Sequence, residues 1–273
     1  MAARRRARWF AALVLVAALL PAVAARAQSS PGLAALIDDL VVANRILYHQ
    51  GVLDGFGHVS IRHPTTPGHF LMARAIAPGR VARDDILEFD ADGKPVSPDG
   101  PPVYAERFIH SEIYRARPDV NAVVHSHSPT VIPFSVTQVP LRPVATTASF
   151  LSPKVPVFDL RRVAGMTNLL VDDAARGKAL AERLGTQPVA LMRGHGDVVV
   201  GPNVRRAVSR AIYTEVNARL LLQAITLGGP IEFIAPGEAA LMESARDAAR
   251  EGHGANRTWD MWKDEALRAE APR

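Results

Sequence analysis

Short strand-type segments alternate with helical segments along this chain, and the alternation restricts the fold to classes that combine helices with a sheet. The strand-type segments are separated by turns containing Gly, Pro or Asp, whereas apolar residues recur every three or four positions in the helical segments. The predicted strands cover residues 58–62, 70–73, 86–89, 122–127, 189–192 and 198–200. The predicted helices cover residues 32–50, 104–115, 173–184 and 204–227. We therefore predict an α/β fold class.

The first 27 residues are typical of a secretory signal peptide rather than of folded structure. Four arginines between positions 4 and 8 precede an apolar run, Trp9 to Ala24, that only Pro21 interrupts. Ala25-Arg26-Ala27 then provides a small-x-small cleavage pattern, so we predict cleavage after Ala27 and a periplasmic or secreted mature protein. An uncleaved N-terminal anchor is the alternative, although the apolar run is shorter than the roughly 20 residues of a membrane span.

Charge and cysteine content limit the partners and the kinds of metal site. The chain has a formal net charge of +5, and residues 1–27 contain five arginines and no acid, so the mature part is close to neutral. A near-neutral chain gives no reason to expect nucleic acid as a partner. No further segment reaches spanning length, so stable membrane insertion is not expected after cleavage. Cysteine is absent, so a metal site would use His, Asp, Glu or water.

The mature part is predicted to form one domain. Residues 28–273 contain enough apolar material for a sizeable hydrophobic core, and no change of composition marks a boundary within them. The segment from about residue 231 onward is polar, and we expect it to pack as a peripheral helical tail.

Two histidines, His125 and His127, follow directly on the apolar strand residues Ala122 to Val124. Side chains at positions i and i+2 of a strand project to the same face, so the two imidazoles can chelate one ion. Two imidazoles in a half-buried strand are costly unless a metal or hydrogen bonds satisfy them. The pair therefore indicates a metal site, with hydrogen-bonded core histidines as the alternative.

A third histidine lies in a glycine-flanked turn between two predicted strands. Gly194 and Gly196 allow the backbone to turn sharply at His195 and allow a ligand or metal to approach closely. Taken alone, His195 could equally be an exposed hairpin histidine. Together with His125 and His127 it would give three imidazole ligands and an open coordination position, which is typical of catalytic rather than structural zinc.

One carboxylate, Glu106, lies on the predicted helix that directly precedes the histidine strand. From this helix it could reach a metal ion or a substrate carbon. Glu106 and His110 are four residues apart and share a helix face. A surface carboxylate is the alternative for any single glutamate. The position one helix upstream of the histidines favours a role in proton transfer.

Taken in order, these motifs are similar to those of the class II aldolase/adducin family. The matching segments are Gly57-His58-Val59-Ser60-Ile61-Arg62, Glu106 followed by His110, Asn121 to His127, and Gly194-His195-Gly196. The spacing between Glu106 and His125 also fits, and the resemblance extends over residues 33–230. It implies a three-layer α/β/α sandwich with a central, mainly antiparallel sheet.

The resemblance also implies a metal-dependent lyase with a small-molecule substrate. His125, His127 and His195 would hold a divalent ion, zinc in the first instance, with Mn, Co or Fe as alternatives. Glu106 would be the acid/base that can occupy the open position when no substrate is bound. A homo-oligomer, and by resemblance a tetramer, is implied as well.

The positions that bind phosphate in sugar-phosphate members of the family differ here. Those members use an Asn in the first motif, a Thr-Gly pair in the following loop and a Ser-Ser pair before the glutamate. This chain has His58, Ala77-Pro78-Gly79 and Tyr104-Ala105 instead. The segment from Gly51 to Val96 is more similar to the decarboxylase branch, which acts on carboxylated hydroxy-oxo acids. His58 and Arg74 are then the candidate substrate-binding residues, Arg74 for a carboxylate.

These features predict a lyase that cleaves a C–C bond next to a carbonyl through a metal-stabilised enolate, decarboxylating a hydroxy-oxo acid. Glu106 would transfer the proton at carbon, and Tyr213 on the last long helix is either a second catalytic donor or a core residue. Three alternatives stay open: retro-aldol cleavage of a sugar or sugar-like substrate, a non-catalytic adducin-like binding module, and a non-haem iron oxygenase on the same histidines. Retention of three histidines together with Glu106 argues against the binding module.

Overall fold

A computed structural model describes residues 32–248 and 256–270 of the chain. The predicted signal peptide lies outside the described residues, so its cleavage stays a prediction. Within the described ranges, no helix combines the length and the apolar character that a membrane span requires.

Seven strands form one sheet at the centre of the described residues. They are β1 (His58–Arg62), β2 (Phe70–Ala73), β3 (Ile86–Phe89), β4 (Ala122–Ser126), β5 (Val157–Phe158), β6 (Val189–Met192) and β7 (Gly196–Gly201). Their order across the sheet is β3-β2-β1-β4-β7-β6-β5. Neighbouring strands are antiparallel except β5 and β6, which are parallel. The prediction of a mainly antiparallel sheet is therefore confirmed.

The described α-helices flank this sheet. They are α1 (Leu33–His49), α2 (Arg107–Ala116), α3 (Ile132–Val136), α4 (Arg161–Ala164), α5 (Ala174–Leu184), α6 (Val204–Leu227), α7 (Pro236–Ala248) and α8 (Arg257–Glu270). Short 3-10 helices cover Pro78–Arg80, Arg83–Asp85 and Thr146–Leu151. The observed ends of α1, α5 and α6 lie within one residue of those predicted from the apolar periodicity.

Apolar side chains alternate between the two faces of the sheet and build a core on each side. Val59 and Val124 belong to the core that α1, α6 and α8 cover, whereas Val123 and Val198 belong to the core that α2 and α5 cover. Because successive strand residues project to opposite faces, the same strands can bury both layers. The three-layer α/β/α sandwich is therefore confirmed.

The ends of α6 are set by two residues, Asn203 and Gly228. Asn203 Oδ1 accepts a hydrogen bond from the backbone N–H of Arg206 at 2.8 Å, which satisfies one free amide of the first turn. Beyond Leu227, Gly228 has a φ of 78°, a conformation that favours glycine. Between these ends α6 packs on β4 and β7, next to the strand that carries His125.

Two predicted boundaries are shifted where candidate site residues lie. The helix predicted over 104–115 begins only at Arg107, because Glu106 has φ −86° and ψ 19° and caps the helix instead of belonging to it. The strand predicted over 122–127 ends at Ser126, so His127 lies just beyond it. Both shifts place a candidate residue at the end of an element, where its side chain is not confined to one face.

The segment predicted as a peripheral helical tail forms α7 and α8, and α8 packs more deeply than a peripheral element would. Trp259 and Trp262 of α8 are 3% and 5% exposed and belong to the core that α1 covers. Each tryptophan buries roughly 150–250 Å². The polar sequence around the two indoles concealed this contribution, because α8 buries only a narrow stripe.

Candidate metal centre

Four side chains that are distant in sequence converge at the C-terminal end of β4. His125 lies on β4, His127 just beyond it, His195 in the turn between β6 and β7, and Glu106 at the start of α2. One nitrogen or oxygen from each side chain lies within 4.8 Å of those of the other three. The structure therefore brings together all four residues predicted for metal binding and proton transfer.

Hydrogen bonds at Nδ1 orient two of the histidines. His125 Nδ1 lies 2.9 Å from the backbone oxygen of Asp197, and His195 Nδ1 lies 3.0 Å from the backbone oxygen of Leu169. A carbonyl oxygen only accepts, so both neutral imidazoles donate from Nδ1 and carry a lone pair on Nε2. Each Nε2 lone pair is thereby available to bind a cation.

The Nε2 atoms of the three histidines face one another. His127 Nδ1 lies 3.4 Å from the Asp54 carboxylate, and His127 Nε2 lies 3.1 Å from His195 Nε2. His125 Nε2 is buried and has no hydrogen-bond partner among the described residues. A buried polar atom without a partner costs about 1–3 kcal/mol, and facing lone pairs repel. A cation bound between the nitrogens would remove both penalties.

The distances and the donor types fit a four-coordinate divalent ion. Two nitrogens about 2.0–2.1 Å from one ion at a tetrahedral angle lie about 3.3 Å apart, close to the 3.1 Å between His127 and His195. Imidazole with carboxylate suits zinc and the neighbouring first-row metals. Donation from Nδ1 to a carbonyl or carboxylate is the usual way in which metal-binding histidines are held. The residues present therefore fit the implied metal.

Glu106 directs one carboxylate oxygen toward the histidines and fixes the other. Its Oε1 accepts a hydrogen bond from the backbone N–H of Val171 at 2.9 Å. Its Oε2 lies 3.3 Å from His195 Nε2 and 3.5 Å from His125 Nε2. Burial alone would raise the pKa of Glu106, but the nearby imidazoles of His125 and His195 lower it well below its usual value. Glu106 is therefore held as a carboxylate next to the three nitrogens.

Two glycines shape the turn that carries His195. Gly194 has a φ of 64°, a conformation that side chains with a Cβ rarely adopt. At Gly196 an added Cβ would lie 1.8 Å from the backbone oxygen of Ser126, so only glycine allows β7 to run this close to the end of β4. The close approach places the ring centroid of His195 5.0 Å from that of His125.

The two predicted substrate-binding residues are linked to the cluster through Tyr104. His58 pairs with His125 across β1 and β4, with ring centroids 5.0 Å apart, and Tyr104 packs on His58 with ring centroids 4.6 Å apart. Burial raises the pKa of Tyr104, and the charge of Arg74 partly offsets that rise. Arg74 Nε lies 2.6 Å from Asp85 Oδ1, and the arginine side chain is 34% exposed. His58 and Tyr104 therefore lie in ring contact beside the cluster, whereas Arg74 pairs with Asp85 and is partly exposed.

Tyr213, predicted as a second catalytic donor or a core residue, is not part of this cluster. It lies half-buried on α6 with its ring centroid 5.8 Å from that of Trp262. Both rings pack with the core that α1 covers. These contacts give Tyr213 a packing role, and its proton donation stays a prediction.

Sequence reasoning missed a buried polar chain behind His58. His58 Nδ1 lies 2.7 Å from His110 Nε2, His110 Nδ1 lies 2.6 Å from Ser60 Oγ, and Ser60 Oγ lies 2.7 Å from the Tyr114 hydroxyl. Burial lowers the pKa of His110 to about 3 and the pKa of His58 well below its usual value. Two periodicities could have indicated this chain, since His58 and Ser60 share a strand face and His110 and Tyr114 share a helix face.

Comparison with known proteins assigns this geometry to a family. The family described as "Class II Aldolase and Adducin N-terminal domain" matches residues 38–222, more than half of the chain. The chain belongs to this family. The matched segment contains all four residues of the cluster, and the resemblance inferred from the motifs is confirmed.

Relatives within the class II aldolase/adducin family include decarboxylases. The decarboxylase tropJ of Talaromyces stipitatus is 42% identical over 195 residues, which are 67% of this chain and 73% of that protein. The 3,4-dihydroxyphthalate decarboxylase of Arthrobacter keyseri is 29% identical over 250 residues, which are 85% of this chain and 93% of that protein. Both matches extend over most of the two proteins compared.

A solved family structure has the same architecture. The crystal structure of an aldolase II superfamily protein from Pseudomonas syringae superposes with a TM-score of 0.73 at 25% identity. The superposition covers 89% of this chain and 96% of the other. The class II aldolase fold therefore accounts for the sheet and for the helices on both of its faces.

Proposed function

We propose that this class II aldolase-family protein is a metal-dependent decarboxylase, a lyase that removes carbon dioxide from a hydroxy-oxo acid. The observation that carries the proposal is the convergence of three histidines and Glu106 on one point, with ligand atoms within 4.8 Å of one another. Similarity to decarboxylases over most of the chain supports the reaction type.

The proposed metal ligands are His125, His127 and His195. We propose zinc as the ion, with Mn, Co or Fe as alternatives, because three imidazoles and a carboxylate suit all four. When bound, the ion supplies Lewis-acid stabilisation of the negative charge that develops on substrate oxygens. Glu106 lies beside the histidines, with Oε2 3.3 Å from His195 Nε2.

Glu106 is placed to move the proton that decarboxylation requires. When the bond to the carboxylate breaks, carbon dioxide leaves and the electron pair stays on the carbon next to the carbonyl, which must then be protonated. Glu106 Oε2 can accept a proton from a substrate hydroxyl and pass it to this carbon, and the hydroxyl regains a proton from solvent. The hydrogen bond from Val171 to Oε1 holds the carboxylate in place during both transfers.

We propose that His58 and Arg74 bind the substrate. Arg74 donates from Nε to Asp85, which holds the side chain, and its terminal amino groups are the donors that we assign to a substrate carboxylate. His58 lies closer to the metal ligands and can contact an oxygen near the reacting carbon. The two residues together favour a substrate with more than one oxygen-bearing substituent.

Release of carbon dioxide, measured against release of aldehyde, tests the reaction type. We expect carbon dioxide from 3,4-dihydroxyphthalate, in whose keto form a carboxylated ring carbon lies next to a carbonyl, and no cleavage of fuculose or ribulose phosphates. The physical reason is the loss of phosphate donors, since Ala77 and Pro78 have no side-chain donor and the Tyr104 hydroxyl donates to the backbone oxygen of Ile76. Both substrates are offered to one metal-loaded preparation.

Chelator-treated protein is the control for that experiment, and restoring the metal should restore carbon dioxide release. Aldehyde release from a sugar phosphate without decarboxylation would overturn the proposal in favour of the retro-aldol reaction. Turnover that consumes dioxygen would overturn it in favour of the iron oxygenase.

We also propose that the protein is exported and that the mature chain begins at or near Gln28. The positively charged, apolar and small-residue segments of residues 1–27 support this proposal. Mass spectrometry of the N-terminal peptide from periplasmic and cytosolic fractions measures it. An Ala27→Tyr variant is the matched control and should stay uncleaved, because signal peptidase requires a small residue there. Chains beginning at Met1 in the cytosolic fraction would contradict export.

We propose that the protein forms a homo-oligomer and, by resemblance to related enzymes, a tetramer. The C-terminal end of α6 supports it, because Leu222 and Leu227 are 44% and 88% exposed there. Apolar side chains grouped at one exposed helix end are typical of contact surfaces. Sedimentation equilibrium would measure the assembly, and a monomer at micromolar concentration would contradict it.

A further inference from the structure

The buried chain of His58, His110, Ser60 and Tyr114 connects the candidate metal centre with the interior between β1 and α2. All four side chains are buried, and the three hydrogen bonds measure 2.7, 2.6 and 2.7 Å from His58 to Tyr114. Each bond needs one proton between its two atoms. Because each neutral imidazole and each hydroxyl carries a single proton to donate, the protons must all point along the chain in the same direction.

The two directions differ in where the last proton of the chain lies: on the Tyr114 hydroxyl in the interior, or on His58 Nε2 beside the candidate metal centre, where a substrate oxygen can accept it. If Ser60 donated to Tyr114, the Tyr114 hydroxyl would need another acceptor. Its other polar neighbour, the backbone of Val123, acts in the direction that lowers the pKa of Tyr114, as an N–H donor does, so Ser60 Oγ is the acceptor for this hydroxyl among the described residues. In the other direction Tyr114 donates to Ser60, Ser60 to His110 Nδ1, and His110 Nε2 to His58 Nδ1. A buried hydroxyl without an acceptor disfavours the first direction by roughly 5- to 150-fold.

We propose that Ser60 and Tyr114, which lie away from the metal ligands, set the tautomer of His58 so that it presents an Nε2–H donor beside the candidate metal centre. His58 is then a hydrogen-bond donor to substrate and is not a fourth imidazole ligand of the ion. This tautomer is the opposite of that of His125 and His195, which donate from Nδ1 to backbone oxygens and keep Nε2 for the metal.

The position of His58 agrees with a donor that faces a substrate oxygen. Its ring centroid lies 5.0 Å from that of His125, yet no ligand atom of His58 belongs to the group of four that converges within 4.8 Å. An N–H next to a metal centre is suited to a negatively charged oxygen, so we assign it to a carboxylate or enolate oxygen of the substrate. This assignment of the acceptor rests on the proposed decarboxylase function, whereas the tautomer does not.

Nuclear magnetic resonance of the zinc-loaded full mature chain, labelled with ¹⁵N at histidine, measures the tautomer directly. Two-bond correlations between ring protons and ring nitrogens distinguish Nδ1–H from Nε2–H, and His58→Gln and His110→Gln spectra identify the two signals. We expect His58 and His110 to carry the proton on Nε2. A proton on Nδ1 of His58 would overturn the proposal whether or not the protein decarboxylates anything.

A Ser60→Ala variant tests whether the chain controls the tautomer. Without the Ser60 hydroxyl neither direction is favoured, so both His58 tautomers should be populated. The fraction of molecules with the proton on Nε2 of His58 then falls to about half, and the apparent KM should rise about twofold. Ser111→Ala is the matched control, because Ser111 is a buried serine next to His110 whose hydroxyl has no partner among the described residues. An unchanged single His58 tautomer in Ser60→Ala would overturn the positioning role.

Two variants of His58 separate substrate donation from metal binding. His58→Phe removes the donor and should lower kcat/KM by roughly 10- to 100-fold, as expected for a hydrogen bond to a charged group. His58→Gln places an amide N–H near the position of Nε2 and should retain more of the activity. Bound zinc per chain should match wild type in both variants. Loss of zinc from His58→Phe would make His58 a ligand and overturn the proposal, and this readout needs no turnover.

Discussion

Replacing Glu106 with glutamine is expected to lower kcat by about 100-fold or more while bound metal stays near the wild-type level. Glutamine keeps the shape of the side chain, and its amide oxygen can still accept the hydrogen bond from Val171. What it loses is the negative charge and the ability to accept and return a proton near the three histidines. Steady-state kinetics and metal analysis of the same preparation measure both quantities.

A matched control for this variant is Glu112→Gln on α2, the helix that begins directly after Glu106. Glu112 is also buried, but it pairs with Arg115 and lies outside the cluster, so the same change of charge should leave kcat close to wild type. Turnover by Glu106→Gln close to wild type would remove Glu106 from proton transfer. Loss of metal in parallel with loss of turnover would instead make Glu106 a metal ligand.

The fold was predictable where a local signal and the tertiary structure agree. The Asn203 cap and the Gly228 stop mark the two ends of α6 through local hydrogen bonding and backbone conformation. The His125 and His127 pair was recognisable because a strand places positions i and i+2 on one face. Family motifs supplied the link to His195 and Glu106, which no local periodicity could have provided.

Other features depend on contacts between distant segments and were not predictable. β5 has only two residues and exists because Val157 and Phe158 pair with β6, so no repeating pattern marks it. The register that places His58 opposite His125 is decided by the packing of two separate strands. The burial of Trp262 likewise follows from where α8 docks, and the composition of α8 alone suggested a peripheral tail.

These same distant contacts determine the chemistry at the candidate centre. The backbone oxygens of Asp197 and Leu169 fix which nitrogen of His125 and His195 carries the proton, and neither oxygen is visible in a motif. A histidine in a sequence can be a ligand, a base or a donor. The hydrogen bonds at its second nitrogen decide among these roles, so the motif identifies the residues and the fold assigns their states.

Removing either imidazole from the strand end is expected to release the metal. His125→Ala and His127→Ala each leave two histidines at the centre. Removing a group that only hydrogen-bonds a metal ligand lowers metal affinity by roughly 10–100-fold, and we expect a larger fall when a ligand itself is removed. Decarboxylation should fall with metal occupancy. Dialysis followed by elemental analysis measures the bound metal. The control is His49→Ala, which replaces an exposed histidine at the end of α1 and should retain all of the metal.

The two variants should differ in stability, and the difference separates loss of a ligand from loss of the fold. His125 is fully buried and donates to Asp197, so its removal leaves a cavity and an unpaired carbonyl and should lower the Tm of the metal-free protein by roughly 5–10 °C. The His127 side chain is 20% exposed, and its contact with the Asp54 carboxylate is long at 3.4 Å, so its removal should change that Tm little. Metal loss from His127→Ala at an unchanged metal-free Tm would therefore report ligation itself. Stoichiometric metal in both variants would refute the three-histidine centre.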